Sequence, residues 1–150
     1  MTMATRPRVE ELMRRHMVTA PPGISLSAAE VLVRSARLRH LVVVEDGILV
    51  GLVSHRELLD GCFAALRERP GPGGADGLSS ITIGHLIRSE PVTITPEASL
   101  EAAASRMLAL RIGCLPVATP SPRGPRLEGL ITEAGLLRAA YLPSPPAPPS

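Results

Sequence analysis

"VTAPPGISLSAAEVLVRSARLRHLVVV" (residues 18–44) lies over "VTITPEASLEAAASRMLALRIGCLPVA" (residues 92–118) without a gap. At this offset of 74 residues Val18, Thr19, Pro22, Ser25, Leu26, Ala28 and Ala29 meet identical residues at Val92, Thr93, Pro96, Ser99, Leu100, Ala102 and Ala103. Upstream, Leu12 meets Leu86. An internal duplication of this kind fixes the architecture before any single element does. After the second apolar run the offset becomes 78, because "EDGI" corresponds to the longer "PSPRGPRL"; such an insertion belongs in a hairpin loop. Beyond it Gly51, Leu52, Leu58 and Leu59 match Gly129, Leu130, Leu136 and Leu137, and the chain's only two aromatic residues, Phe63 and Tyr141, coincide.

Each copy can be read by its periodicity. Ser25 and Ser99 are shared N-cap candidates, since a serine oxygen accepts from a first-turn backbone N–H. "SAAE" from Ser27 also fits a capping box, but only in the first copy, so Ser25 is preferred. The helices that follow carry apolar stripes of Leu26, Ala29, Val33 and Ala36, and of Leu100, Ala103, Met107 and Leu110. "HLVVV" and "ILVGLV" read as strands joined across Asp46-Gly47, a dipeptide suited to a two-residue hairpin. Each copy closes with a helix whose apolar face is Leu58, Leu59, Cys62, Phe63 and Leu66, or Leu136, Leu137, Ala140 and Tyr141. The two aromatics are expected in the core rather than at an interface.

These readings divide the chain into a first repeat with an N-terminal helix (1–66), a Gly/Pro linker (67–80), a second repeat (81–142) and a disordered Pro-rich tail (143–150). The linker composition of "RERPGPGGADGLSS" argues against continued helix.

Composition excludes several function classes. With 45% hydrophobic residues, 150 residues can bury a sizeable core, and one Phe, one Tyr and no Trp make that core aliphatic. A net charge of +2 from scattered basic residues leaves no footprint for nucleic acid, and the stacking platforms of single-strand binders are missing. Cys62 and Cys114 lie in apolar segments, without metal-ligand spacing to each other or to His16, His40, His55 and His85. They read as reduced core thiols of a cytoplasmic protein, a disulfide or zinc site being the weaker alternatives. His16, His55 and His85 are expected in solvent. The N-terminus lacks a signal-peptide apolar run, and no window approaches a membrane span. No nucleophile–base pair, spaced carboxylate pair or Walker-type loop is present, so the chain does not read as an enzyme.

The pattern resembles a tandem pair of cystathionine-β-synthase (CBS) domains, the Bateman module, from about Val9 to Tyr141. The residues that carry the resemblance are "VTITPEASLEAAASRML", "IGCLPV" and "GLITEAGLL" in the second copy and "RHLVVVEDGILVGLVSHRELL" in the first. The resemblance implies an α+β fold of two β-α-β-β-α repeats about a pseudo-twofold axis, often dimerised. It also implies a regulatory module that binds an adenosyl nucleotide (AMP, ADP or ATP) in clefts between the copies, with no obligatory cofactor. No catalytic or transport domain is fused in this sequence, so a stand-alone sensor is expected, as a homodimer or with an unidentified protein partner.

The turns "GLVSHREL" (51–58) and "GLITEAGL" (129–136) differ in chemistry. Where a strand passes into a helix, backbone N–H groups and the helix dipole favour an anion. Ser54 can donate to a phosphate oxygen, Arg56 can pair with it, and the Glu57 carboxylate can accept from ribose hydroxyls. The family's turn places an aspartate where this chain has Glu57 and Gly135. In the second copy Thr132 is followed by Glu133, whose charge repels phosphate, so the first site is expected to dominate. By resemblance the base slot is lined by Thr19, Ala20 and Val42, with His40 just upstream near the phosphate. Thr93, Pro116 and Thr132 are the second-copy counterparts, Pro116 being the family's usual proline where the first copy has Val42. A purely structural account also exists, because Ser54 and Glu57 alone satisfy a capping box. The alternative function is a ligand-free dimerisation or adaptor module acting through the helices that bear Phe63 and Tyr141.

Overall fold

The computed structural model describes residues 6–68 and 74–141; the Pro-rich tail lies outside the described residues. In chain order the elements are α1 (Val9–Leu12), β1 (Thr19–Ala20), α2 (Leu26–Ser35), β2 (His40–Glu45), β3 (Ile48–Ser54), α3 (His55–Glu68), α4 (Gly74–Ser80), a 3₁₀ turn (Ile83–Leu86), α5 (Leu100–Leu110), β4 (Cys114–Thr119), β5 (Arg126–Thr132) and α6 (Glu133–Tyr141). The first copy thus follows the β-α-β-β-α order. In the second, the leading strand shrinks to one parallel bridge, Ile94 to Val117.

The described chain falls into two compact units that cut across the sequence boundaries. One holds residues 18–68, 74–91 and 121–126; the other holds 6–17, 92–120 and 127–141. The N-terminal helix, grouped by sequence with the first repeat, therefore packs with the second. In the first unit Leu26 N–H donates to Ile81 O (2.8 Å), Ile83 N–H to Ile24 O (3.0 Å) and Gly84 N–H to Pro22 O (3.0 Å). In the second the same three bonds recur 74 residues along: Leu100 N–H to Pro7 O (3.3 Å), Val9 N–H to Ala98 O (2.8 Å) and Glu10 N–H to Pro96 O (3.0 Å). Each copy's leading segment has been exchanged for its neighbour's.

Local chemistry explains the elements. Ser25 Oγ accepts from Ala28 N–H (3.1 Å) and Ser99 Oγ from Ala102 N–H (3.0 Å), so both expected caps form and set the start of α2 and α5. Leu26, Ala29 and Val33 of α2, and Ala103 and Met107 of α5, turn inward at helical spacing. Both helices are followed by an arginine in the left-handed region, Arg37 (φ 53°) and Arg111 (φ 55°), at equivalent positions. Asp46 (φ 51°) and Gly47 (φ 80°) both take positive φ, the requirement of the type I′ hairpin read from the sequence. The linker reading fails at 74–80, which form α4: Leu78 is partly buried against the first unit's core, and that packing overrides the poor helix propensity of the glycines.

In the first unit β1 runs parallel to β2, and β2 runs antiparallel to β3. Its core joins Leu41, Val43 and Val53 of the strands to Leu26, Ala29, Val33, Leu58 and Cys62 of the helices. The second unit packs Leu115, Val117 and Ile131 with Ala103, Met107, Val9 and Met13. Phe63 (59% exposed) and Tyr141 (79% exposed) stand outside both cores, contrary to the expectation that they would be buried. The helix stripe that contains them is wider than the face the sheet covers. No helix among the described residues is long and apolar enough to cross a membrane.

Candidate functional site

The strand register decides which residues of the first copy meet. Thr19 pairs with Val42, Val42 with Leu52, and His40 with Ser54. Residues opposite one another share a face and residues two apart on a strand share it too, so Thr19, His40, Val42 and Ser54 stand on one side of the sheet. Ala20 pairs with Val43 and its side chain joins the core, so of the three expected slot residues it can offer only backbone. Val42 is itself buried, whereas Thr19 is exposed and His40 and Ser54 are half-buried.

At the start of α3, Ser54 and Glu57 form a reciprocal capping box. Glu57 N–H donates to Ser54 Oγ (3.0 Å), and Ser54 N–H donates to Glu57 Oε1 (3.2 Å). His55 N–H is taken by Arg39 O (2.8 Å). Two first-turn amides are therefore already engaged, Glu57 N–H in the capping box that the sequence suggests and His55 N–H by a carbonyl that it does not, and the mouth is narrower than expected. The functional groups are not exhausted, though. A hydroxyl that accepts a bond retains its own O–H, and a carboxylate with one oxygen engaged retains the other. Arg56 and Glu57 are both exposed. Burial pushes the His40 imidazole below its ordinary value; Glu57 draws it partly back, and Arg39 depresses it further.

The second turn repeats the backbone and not the chemistry. Gly135 N–H donates to Thr132 Oγ1 (3.1 Å) and Glu133 N–H to Gly113 O (2.9 Å), the counterparts of the Ser54 and Arg39 bonds. Gly135 has no side chain to return a bond. Cys114 stands where the first copy has His40, and burial together with Glu133 pushes its thiol up to about 11. Pro116 is buried on β4, Thr93 is half-buried with its carbonyl accepting from Arg106 Nη1, and Thr132 is half-buried. Both cysteines are free and buried. His16 and His85 are exposed, His85 Nδ1 meeting Thr82 Oγ1 at 3.0 Å, while His55 is half-buried.

Two cavities touch these turns from other directions. In the first unit Glu57 shares a cavity of about 400 Å³ with Leu26, Asp60, Gly61, Glu68, Leu86 and Arg88. In the second unit Glu133 borders one of about 560 Å³ walled by Met107, Leu108, Ile112, Leu136 and Leu137, with Arg111 at its edge. Nothing in the sequence marks these residues as cavity walls: Leu26, Met107, Leu136 and Leu137 stand out there only as apolar helix stripes. Glu57, Asp60 and Glu68 do follow helical spacing, a signal that could have found the first.

Comparison with known proteins gives a consistent result. A 136-residue stretch is 25% identical to MJ1225, an uncharacterized protein of Methanocaldococcus jannaschii, covering 87% of this chain and 46% of that protein. The chain thus spans about half the length of this relative, whose solved structure superposes with a TM-score of 0.75 over 91% of this chain and 48% of its own, at 22% identity. CBSX2, solved in complex with AMP, is 28% identical with a TM-score of 0.68, over 89% of this chain and 95% of that one. The CBS domain pair of MJ0100, solved with 5′-methylthioadenosine and S-adenosyl-L-methionine, is 18% identical and shares the fold with a TM-score of 0.68, over 91% and 97%. The CBS domain model matches residues 9–63 and again 83–141. The chain belongs to the CBS-domain family and carries two CBS repeats.

Proposed function

We propose that this protein is a regulatory module, not an enzyme, that binds an adenosine nucleotide (AMP, ADP or ATP) chiefly at the first-repeat turn. The observation that carries the reading is the shared sheet face of Thr19, His40, Val42 and Ser54, ending at the Ser54–Glu57 turn. Ser54 and Arg56 meet the phosphate there, Glu57 accepts from the ribose hydroxyls through its remaining oxygen, and the exposed Thr19 flanks the base, with the buried Val42 behind it. The AMP complex of CBSX2 supports the ligand class. Thr93, Pro116 and Thr132 form the weaker counterpart, where Glu133 opposes an anion and the neutral Cys114 thiol offers it no positive charge.

Thermal unfolding with millimolar AMP, ADP, ATP and S-adenosylmethionine tests this. A ligand at a hundredfold excess over Kd stabilises by about 2.7 kcal/mol, equivalent to roughly 5–10 °C for a chain of this size. Glu57→Ala should abolish most of that ligand-induced shift and Gly135→Ala should preserve it; the reverse would put the ligand at the other turn. A second reading, a ligand-free dimer or adaptor, is favoured by the exposure of Phe63 and Leu66 on α3 and of Leu137 and Tyr141 on α6. No shift with any nucleotide, together with a concentration-dependent mass in sedimentation, would select it.

A further inference from the structure

We propose that anion binding at the first turn is linked to proton uptake by His40, which stands across the β2–β3 ladder from Ser54 and becomes imidazolium when a phosphate arrives. The inference rests on the nucleotide reading of this turn. His40 and Ser54 are register partners, so their side chains leave the same face at neighbouring points, beside the helix start. The bond from His55 N–H to Arg39 O ties the residue before His40 to that helix start.

The charges around His40 are few. Arg39 precedes it on its own strand; Glu57 acts on it from α3, with Arg56 and His55 in the same helical turn. β1 offers Thr19 and β3 offers Ser54, both uncharged. With burial and Arg39 outweighing Glu57, the balance in the free protein favours the neutral imidazole. A phosphate dianion a few ångströms away reverses that balance, because an adjacent opposite charge favours the protonated ring. The proton comes from solvent, and the ring then presents two N–H donors instead of one. The second copy has no such linkage, since Cys114 at the equivalent position is neutral until about pH 11 and carries no positive form.

Proton uptake on binding means that affinity falls as pH rises through the His40 titration. The second ionisation of the nucleotide phosphate runs the other way, so a variant is needed to separate the two. NMR titration of the wild-type imidazoles, free and with saturating AMP, should show the His40 midpoint rising by about one pH unit with AMP. Adenosine, which lacks the phosphate, should leave it unmoved. Calorimetry at pH 5.5 and pH 8 should show the wild-type affinity advantage over His40→Gln shrinking severalfold between the two, up to the roughly tenfold that one unit of linkage allows. AMP binding with an unmoved His40 titration, or the same pH dependence in His40→Gln, would overturn the linkage and leave the nucleotide reading standing. No binding of AMP, ADP or ATP at either pH would overturn both.

Discussion

The turn at 54–57 and the turn at 132–135 share a backbone and differ in what they can hold. In both, a hydroxyl caps the helix three residues on, and the first helical amide reaches back to the residue before the second strand, Arg39 or Gly113. These bonds are what the fold needs, and duplication has kept them. The additions are confined to one copy: Glu57 returns a bond to Ser54, His40 stands opposite, and Arg56 extends into solvent. The other copy has Gly135, Cys114 and Ala134 at those places. Capping therefore accounts for Ser54 and for Thr132, while it leaves Arg56 and His40 without a structural task.

The largest expected effects test whether the two copies are equivalent in packing. Leu41 and Leu115 are matched strand residues with no solvent exposure. Truncating either to Ala should cost about 2–5 kcal/mol in urea unfolding, the range for buried leucines. A loss below about 1 kcal/mol in either copy would break the equivalence.

Next in size is an asymmetry in alkaline stability. Cys114 is raised in the folded state from 9.0 to about 11. A group raised on folding contributes fully below its unfolded value, and the contribution is lost as pH climbs through the folded one. Stability should thus decline by roughly 2–3 kcal/mol between pH 9 and pH 11. Cys114→Ala should flatten that decline, and His40→Gln should not. An unchanged alkaline limb in Cys114→Ala would show that the thiol is not its source.

Matched glycines sharpen the comparison further. A Cβ on Gly129 would lie 2.7 Å from Arg14 O, which already accepts from Leu130 N–H (2.9 Å), and 2.8 Å from Met13 Sδ. On Gly51 the obstacle is the Ile87 side chain at 2.9 Å. Side chains can rotate away, whereas a paired carbonyl cannot move without losing its bond. Gly129→Ala should therefore cost about 1–3 kcal/mol and Gly51→Ala less, as read from thermal midpoints. Equal costs would mean that Ile87 is as firmly held as the backbone.

Which of these features the sequence reveals follows from the range over which each is encoded. The Ser25 and Ser99 caps and the Asp46-Gly47 turn are written within a few residues, and all appear as read. The exchange of leading segments is not, because the match of Leu12 with Leu86 makes them equivalent without saying which copy each covers. Phe63 and Tyr141 misled because helical spacing defines a stripe but not how much of it the sheet hides. Ala20 sits on a two-residue strand, too short for alternation to show which side faces inward. At the candidate site the residue types were legible. The Ser54–Glu57 capping box was legible too, being local, but the amide spent on Arg39 O was not, since that partner depends on how the strand before His40 meets α3.

The smallest effects bear most directly on the two turns. Ser54→Ala and Thr132→Ala should each cost about 1 kcal/mol, since each removes one cap acceptor. Gly135 offers the opposite manipulation: a Cβ there would meet Thr132 Oγ1 at 3.4 Å, an ordinary contact, so a side chain can be added without strain. Gly135→Ala should stabilise by roughly 0.5–1 kcal/mol through helix propensity alone. Gly135→Glu should add a few tenths more by returning a bond to the Thr132 amide and rebuilding the first copy's capping box in the second. Identical midpoints for the two variants would mean that Glu57 contributes little to its own helix start, and would shift the weight of its presence toward the ligand.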